Sequence, residues 1–328
     1  MAGKGLIIVT GAAGLIGSAV ARELNRRGAE NLILVDHLGH TEKWRYLRSI
    51  SYREYFEKQD FLLRLERGQF PGIEAIVHLG ANSSTTETDA SHLVENNYRY
   101  SMELARVSAR DGLRMVYASS AATYGDGADG FDDDPARLGE LRPLNMYGYS
   151  KHMFDCWLAR DQFRPGFLGL KYFNVYGPNE YHKGNMQSLV LKAFRQVQSD
   201  GCIRLFKSYH PDYADGEQKR DFLYVEDAAR MTVFFALDNR EATGVVNAGS
   251  GTARTWNDLA RAVFGAMGRE PAIEYIEMPA ELRGKYQYYT CAPIERLRQA
   301  GYNQSITSIE DAVSAYVRDY LLAGEACA

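Results

Sequence analysis

Residues 6–36 run LIIVT, then GAAGLIG, then the helical pattern SAVARELNRRG, and after a short break NLILVD. Two short apolar runs joined through a helix demand a right-handed βαβ unit, because parallel strands need a crossover connection. Gly11, Gly14 and Gly17 form G-x-x-G-x-x-G between the first run and the helix. Such a loop turns tightly and lets backbone approach a pyrophosphate with no Cβ in the way. The helix behind it points free N–H groups and a positive dipole end at the same place. Asp36 closes the second run 19 residues after Gly17, a position from which an acid meets a ribose diol. Strand, loop, helix, strand and acid in this order predict a dinucleotide-binding unit.

The alternation continues. AIVHLGA at 75–81 reads as a strand, 91–111 as a helix and RMVYASS at 114–120 as a strand. A helix opens near Tyr149, and FLGLKYFNVYG at 167–177 returns as a strand. A helix is expected at 185–199, another at AARMTVFFALDN, and a short strand and turn at GVVNAGSG. The fold class that follows is α/β: a Rossmann-type doubly wound parallel sheet with a smaller α/β substrate lobe. Residues 1–177, with 225–264 returning to it, are expected to form the cofactor domain. Residues 178–224 plus 265–328 are expected to form the substrate-binding lobe.

Bulk properties exclude several classes. A net charge of −4 and a pI near 6.0 argue against nucleic acid or an anionic membrane as partner. No apolar run approaches the ~18–20 residues that span a bilayer. The apolar stretch before Thr10 has five residues, short of the roughly 7–15 of a signal peptide. Cys156, Cys202, Cys291 and Cys327 are scattered, which predicts neither a disulfide framework nor a metal site, and makes the cytoplasm the expected compartment.

Tyr147 stands four residues before Lys151 in NMYGYSKHMFD, on one face of a helix. A phenol has a pKa near 10 in water, and a neighbouring ammonium is expected to lower it. A tuned phenol can exchange a proton with a substrate hydroxyl while a nicotinamide takes the hydride. Ser120 ends a strand, where parallel sheets face their cofactor, and its hydroxyl can hold the same oxygen. Asp36 alone favours NAD by repelling a 2′-phosphate, whereas Lys43 and Lys58 offset that repulsion, so these residues leave NAD and NADP both open.

The glycine loop, Ser120 and Tyr147-x-x-x-Lys151 resemble the motifs of the extended short-chain dehydrogenase/reductase family, over essentially the whole chain. Further stretches are similar to the branch that inverts C6 of ADP-linked heptoses: SSTTETD at 83–89, ENNYRYS at 95–101, KYFNVYGPNEYHKGNM at 171–186, PDYADGEQKRDFLYVED at 211–227 and RGKYQ at 283–287. The resemblance implies transient oxidation of an ADP-heptose-type nucleotide sugar to a 6-keto intermediate, re-reduction with bound NADP, and a homo-oligomer. It also implies site residues. Tyr147 and Lys183 would be paired acid/base groups, with Lys151 and Ser120 beside them. Gly11, Gly14, Leu15, Ile16, Gly17, Asp36, His37, Lys43, Lys58, Leu79, Gly80, Ala81, Asn96, Lys151 and Val175 would meet the cofactor. Ser83, Asn174, Lys183, Asn185, Lys192, Phe206, Arg220 and Tyr286 would meet the substrate. His37 departs from the family's usual asparagine, Lys192 from its usual histidine, and Asn185 and Tyr209 from small serine-type residues. Rival readings are a hexose 4-epimerase, which would not need Lys183, a net reductase, and a non-catalytic NADP-binding sensor or scaffold. A 4,6-dehydratase fits poorly, because Ala121 and Ala122 follow Ser120 where such enzymes carry an Asp-Glu pair.

Overall fold

The structure, a computed structural model, describes residues 5–160, 163, 165–283, 286–324 and 327–328. Gly284 and Lys285, within one stretch that carries the resemblance, lie outside the described residues. The first half winds β1 (Leu6–Thr10), α1 (Leu15–Arg26), β2 (Leu32–Asp36), β3 (Glu54–Glu57), α2 (Lys58–Glu66) and β4 (Ile73–His78). Next come α3 (Ala90–Leu93), α4 (Tyr100–Arg110), β5 (Arg114–Ser120), α5 (Met146–Arg160) and β6 (Phe167–Tyr172). The second half adds β7 (Asn174–Tyr176), α6 (Leu189–Asp200), β8 (Ile203–Phe206), β9 (Lys219–Tyr224), α7 (Val225–Val233), β10 (Gly244–Ala248), β11 (Ala253–Thr255), α8 (Trp256–Met267) and β12 (Ile273–Ile276).

Seven strands form one parallel sheet in the order β10-β6-β5-β4-β1-β2-β3. All five residues of β1 are buried, as a strand covered by helices on both faces requires. Its side chains alternate between the two apolar layers: Ile7 and Val9 join one core, Leu6 and Ile8 the other. The winding switches sides between β1 and β4, with β2 and β3 added on one side of β1 and β4 onward on the other, and this switch point is where ligands bind in open α/β sheets.

Several elements depart from the sequence expectation. The helix expected at 91–111 is α3 and α4 joined by a π-helical segment, Val94–Arg99. The strand expected at 167–177 breaks at Phe173, whose ring packs on Tyr124 and Phe131. Beyond it, β7 leaves the main sheet and pairs with β9, itself antiparallel to β11. The helix expected at 185–199 starts later, at Leu189, capped by the Ser188 hydroxyl, and follows a tight turn at Tyr181–Met186. A separate two-stranded ribbon, β8 with β12, borders the second half.

Candidate active site

The glycine loop is shaped by close approach. Gly11 sits at φ +68°, and a Cβ there would stand 2.6 Å from the Gly80 nitrogen. A Cβ on Gly17 would stand 2.0 Å from the Gly11 carbonyl oxygen. Helix α1 starts at Leu15 behind Gly14 with no side-chain cap, so Leu15, Ile16 and Gly17 present first-turn backbone. A cleft of about 240 Å³ opens there. Gly11, Asp36, His37, Lys43, Lys58, Gly80, Ala81 and Asn96 line it together. Leu79 donates its N–H to the Thr10 carbonyl at 3.1 Å, which ties the ends of β1 and β4. Asn82, His92 and Tyr100 also line the cleft and were not foreseen; they stand in or beside the SSTTETD and ENNYRYS stretches.

The Asp36 carboxylate is fully engaged. It accepts from the backbone N–H of Ala13 and of His37, both at 2.7 Å, and from Lys43 Nζ at 2.8 Å. Lys58 donates to Asn96 Oδ1. The His37 ring turns to Glu57, with Nδ1 3.0 Å from Oε2.

Beneath the loop, His78 is 2% exposed. Its Nδ1 lies 2.7 Å from Thr10 Oγ1 and its Nε2 2.8 Å from Ser101 Oγ. Ser101 donates onward to the Asn97 carbonyl at 2.5 Å, and Gly80 N–H donates to Thr10 Oγ1. This pattern assigns a neutral ring that donates from Nε2 and accepts at Nδ1. Burial first, and the Lys151 charge second, hold its pKa down at about 3. Between pH 6.5 and 3 the unfolded chain binds a proton that the folded one refuses. Stability therefore falls as pH drops through that window, by on the order of 5 kcal/mol at 1.36 kcal/mol per unit. Urea unfolding at pH 7 and at pH 5 should show this slope, and a His78→Gln variant should flatten it; an unchanged slope would assign the acid sensitivity elsewhere.

At the next strand end, β5 delivers Ser120. Helix α5 begins at Met146, earlier than expected, so Tyr147 lies in its first turn and Lys151 one turn on. Tyr147 stands near enough to Ser120 for the serine hydroxyl to act on its phenol. Lys151, 5% exposed, donates Nζ to the Ala118 carbonyl at 2.9 Å. The expected lowering of the phenol pKa by Lys151 is not what this geometry gives. Burial pushes the Tyr147 phenol above its usual value, and the nearby Ser120 hydroxyl opposes the shift. Burial also lowers the Lys151 ammonium to about 8, against the pull of Asp155. Two supports escaped the sequence reading. Asn145 Oδ1 caps α5 through Gly148 N–H at 2.8 Å. Asn97, in the π-helical segment, donates to Ser150 Oγ, and Ser150 donates to the Tyr147 carbonyl.

A second cleft, about 520 Å³, lies beside β7. Asn174, Lys192, Phe206 and Tyr286 line it, as does Val175, assigned from the sequence to the cofactor. Trp256 and Arg204 line it too, unforeseen. Arg220 lies against the Trp256 and Tyr286 rings, 5.6 and 5.3 Å from their centres. Trp256 Nε1 donates to the Tyr286 hydroxyl at 2.9 Å. The Asn185 carbonyl accepts from Lys192 Nζ at 2.7 Å. Ser83 is exposed in the loop after β4, and its neighbour Thr85 reaches Met186. Lys183 sits in the 181–186 turn, where burial lowers its ammonium pKa and Glu180 opposes the shift. The two clefts, with Ser120 and Tyr147 near each other at the end of β5, can hold a dinucleotide and an anionic ligand and move a proton.

A model of the NAD dependent epimerase/dehydratase family matches residues 7–249. The chain is 51% identical over 321 residues to a Nitratidesulfovibrio vulgaris (strain DP4) protein named ADP-L-glycero-D-manno-heptose-6-epimerase, covering 98% of this chain and 99% of that one. A Pseudomonas aeruginosa PAO1 protein of the same name is 43% identical over 328 residues, covering 95% and 98%. The crystal structure of the Helicobacter pylori protein of that name superposes with a TM-score of 0.78 at 26% identity, covering 96% of each chain.

Proposed function

The chain belongs to the NAD dependent epimerase/dehydratase family, and on that premise we propose that it inverts C6 of ADP-D-glycero-D-manno-heptose to give the L-glycero epimer. The observation that carries the reading is the juxtaposition of Ser120, at the carboxyl end of β5, with Tyr147 in the first turn of α5 and Lys151 one turn on, beside a cleft shaped for a dinucleotide.

A carbinol C–H is not acidic, so inversion by proton abstraction alone is excluded on chemical grounds. A nicotinamide dinucleotide, when bound, would supply the alternative: a reversible hydride acceptor for C6. The glycine loop fits such a group, because Cβ atoms at Gly11 and Gly17 would fill the cradle. NADP is the form we propose. Asp36 is already neutralised by Lys43 and two backbone N–H groups, so its repulsion of a 2′-phosphate is offset. Residues 1–177, with 225–264, serve as the cofactor unit, and 178–224 plus 265–328 as the substrate lobe.

Tyr147 and Lys183 exchange the proton of the C6 oxygen, and Ser120 holds that oxygen. Burial displaces the two groups oppositely, the phenol upward and the ammonium downward. Such opposite shifts suit a pair in which one member gives a proton and the other takes one. Lys151 positions the cofactor. Arg220 and Lys192 bind the diphosphate, while Trp256 and Tyr286 offer ring faces to the base.

Proton NMR of ADP-D-glycero-β-D-manno-heptose with the purified protein and NADP+ tests the reading. It requires the L-glycero epimer at unchanged mass and no net NADPH. No change in the spectrum would overturn the heptose assignment, and stoichiometric loss of NADPH supplied in place of NADP+ would favour a reductase. A Lys183→Met variant should lose about 10²-fold in kcat by the same assay; a 4-epimerase would be indifferent to it.

A further inference from the structure

We propose that Asp155 and Lys171, a fully buried ion pair behind the reacting side chains, are positioning residues that hold Ser120, Tyr147 and Lys151 in register. This rests on the reading that those three carry the reaction. The pair touches neither cleft, and both side chains are 0% exposed, with Lys171 Nζ 3.3 Å from Asp155 Oδ2. Asp155 lies on α5 one turn after Lys151. Lys171 lies on β6, paired in register with Ser119 of β5.

Their other bonds all run to the catalytic strand end. Asp155 accepts from the Tyr117 hydroxyl at 2.9 Å and the Ser119 hydroxyl at 2.6 Å. Lys171 donates to Thr123 Oγ1 at 2.6 Å, and Thr123 donates to the Ser120 carbonyl at 2.8 Å. The Lys171 ammonium also faces the Tyr124 ring at 4.7 Å. One carboxylate and one ammonium thus fasten α5, β5, β6 and the turn after Ser120 at a single point. A fully satisfied buried polar network favours one arrangement of its members. Burying two charges is a poor route to stability alone, since well-packed apolar residues usually do as well. What such residues would not supply is the directional link from Lys151's helix to the carbonyl of Ser120.

Asp155 of the pair also sets the charge environment of Lys151. The titratable groups acting on that ammonium are Asp155 on its own helix, which raises its pKa, and His78 of β4, coupled to it across the sheet end.

Four variants test the proposal: Asp155→Asn, Lys171→Met, Lys171→Arg and the double Asp155→Asn/Lys171→Met. The double variant removes both charges together and keeps the test open if a single variant fails to fold. Epimer interconversion should fall in kcat by about 10²-fold in the single and double neutral variants, as a misplaced catalytic group predicts. KM should stay within about twofold. Lys171→Arg, which keeps the cation and its donors, should recover most of the loss. Folded neutral variants with native kcat would overturn the proposal, as would an arginine variant no better than methionine. A second readout needs no substrate: the side-chain 15N shift of Lys151 against pH. The midpoint should lie near 8 in the native protein and lower in Asp155→Asn; coincident midpoints would overturn the proposal. A native protein that turns over no nucleotide sugar would sink the functional reading instead, and the lysine titration would still decide the pair.

Discussion

Replacing Tyr147 by phenylalanine is expected to lower kcat for epimer interconversion by about 10³-fold, within the range for loss of a positioned acid/base group. The substitution removes one oxygen and keeps the ring. Ser120 keeps a partner, since its Oγ also accepts from Ala122 N–H at 3.1 Å. The supports of the first turn survive, because Asn145 and Ser150 engage backbone rather than the phenol. Dinucleotide content should be unchanged, since Gly11, Asp36 and Lys43 stand on other elements. The loss should fall on kcat and spare KM. The burial-raised phenol makes a further point: Tyr147 is protonated at neutral pH in the free protein. Whatever activates it as a base arrives with the ligands. A phenylalanine variant with native turnover would place the proton transfer elsewhere, with Lys183 the first group to examine by Lys183→Met.

The sheet was legible because its strands obey one rule at a time. LIIVT and LILVD are continuous apolar runs, and burial on both faces is the environment such runs need. The glycine loop was legible because close approach leaves no alternative residue at Gly11 or Gly17. Strand β3, EYFE, was not read, since a charged edge strand has little apolar signal. The π-helical segment at 94–99 was invisible for another reason. Its extra residue per turn is fixed by side-chain bonds of Asn97 to Asn82 and Ser150, partners distant in sequence. The pairing of Tyr147 with Ser120 was readable from motif and strand end. The direction of the phenol pKa was not, because desolvation depends on what packs around the ring. Trp256 and Arg204 reach the second cleft only through the folding of β8 and α8 around it.

The largest stability loss is expected from Asp221→Ala, about 3–5 kcal/mol by the cost of leaving several buried donors unpaired. Asp221 lies on β9 and is 0% exposed. One oxygen accepts from Ser250 N–H at 2.6 Å and from the Ser250 hydroxyl at 2.8 Å. The other accepts from Gly251 N–H at 3.0 Å and Ala292 N–H at 2.9 Å. Burial raises its pKa despite these bonds, so the carboxylate is held by donors and not by water. Gly249 makes room for it, since a Cβ there would stand 2.8 Å from Oδ2. The clamp draws the turn after β10 and the segment at 290–292 onto β9, next to Arg220. Urea unfolding of the variant against the native protein measures the loss, and a difference below about 1 kcal/mol would show that water replaces the carboxylate. Nucleotide affinity separates two roles. If the clamp only stabilises, Asp221→Ala binds ADP normally wherever it remains folded. If it also seats Arg220 between Trp256 and Tyr286, ADP affinity falls together with stability, and restoring stability with a co-solvent does not bring it back.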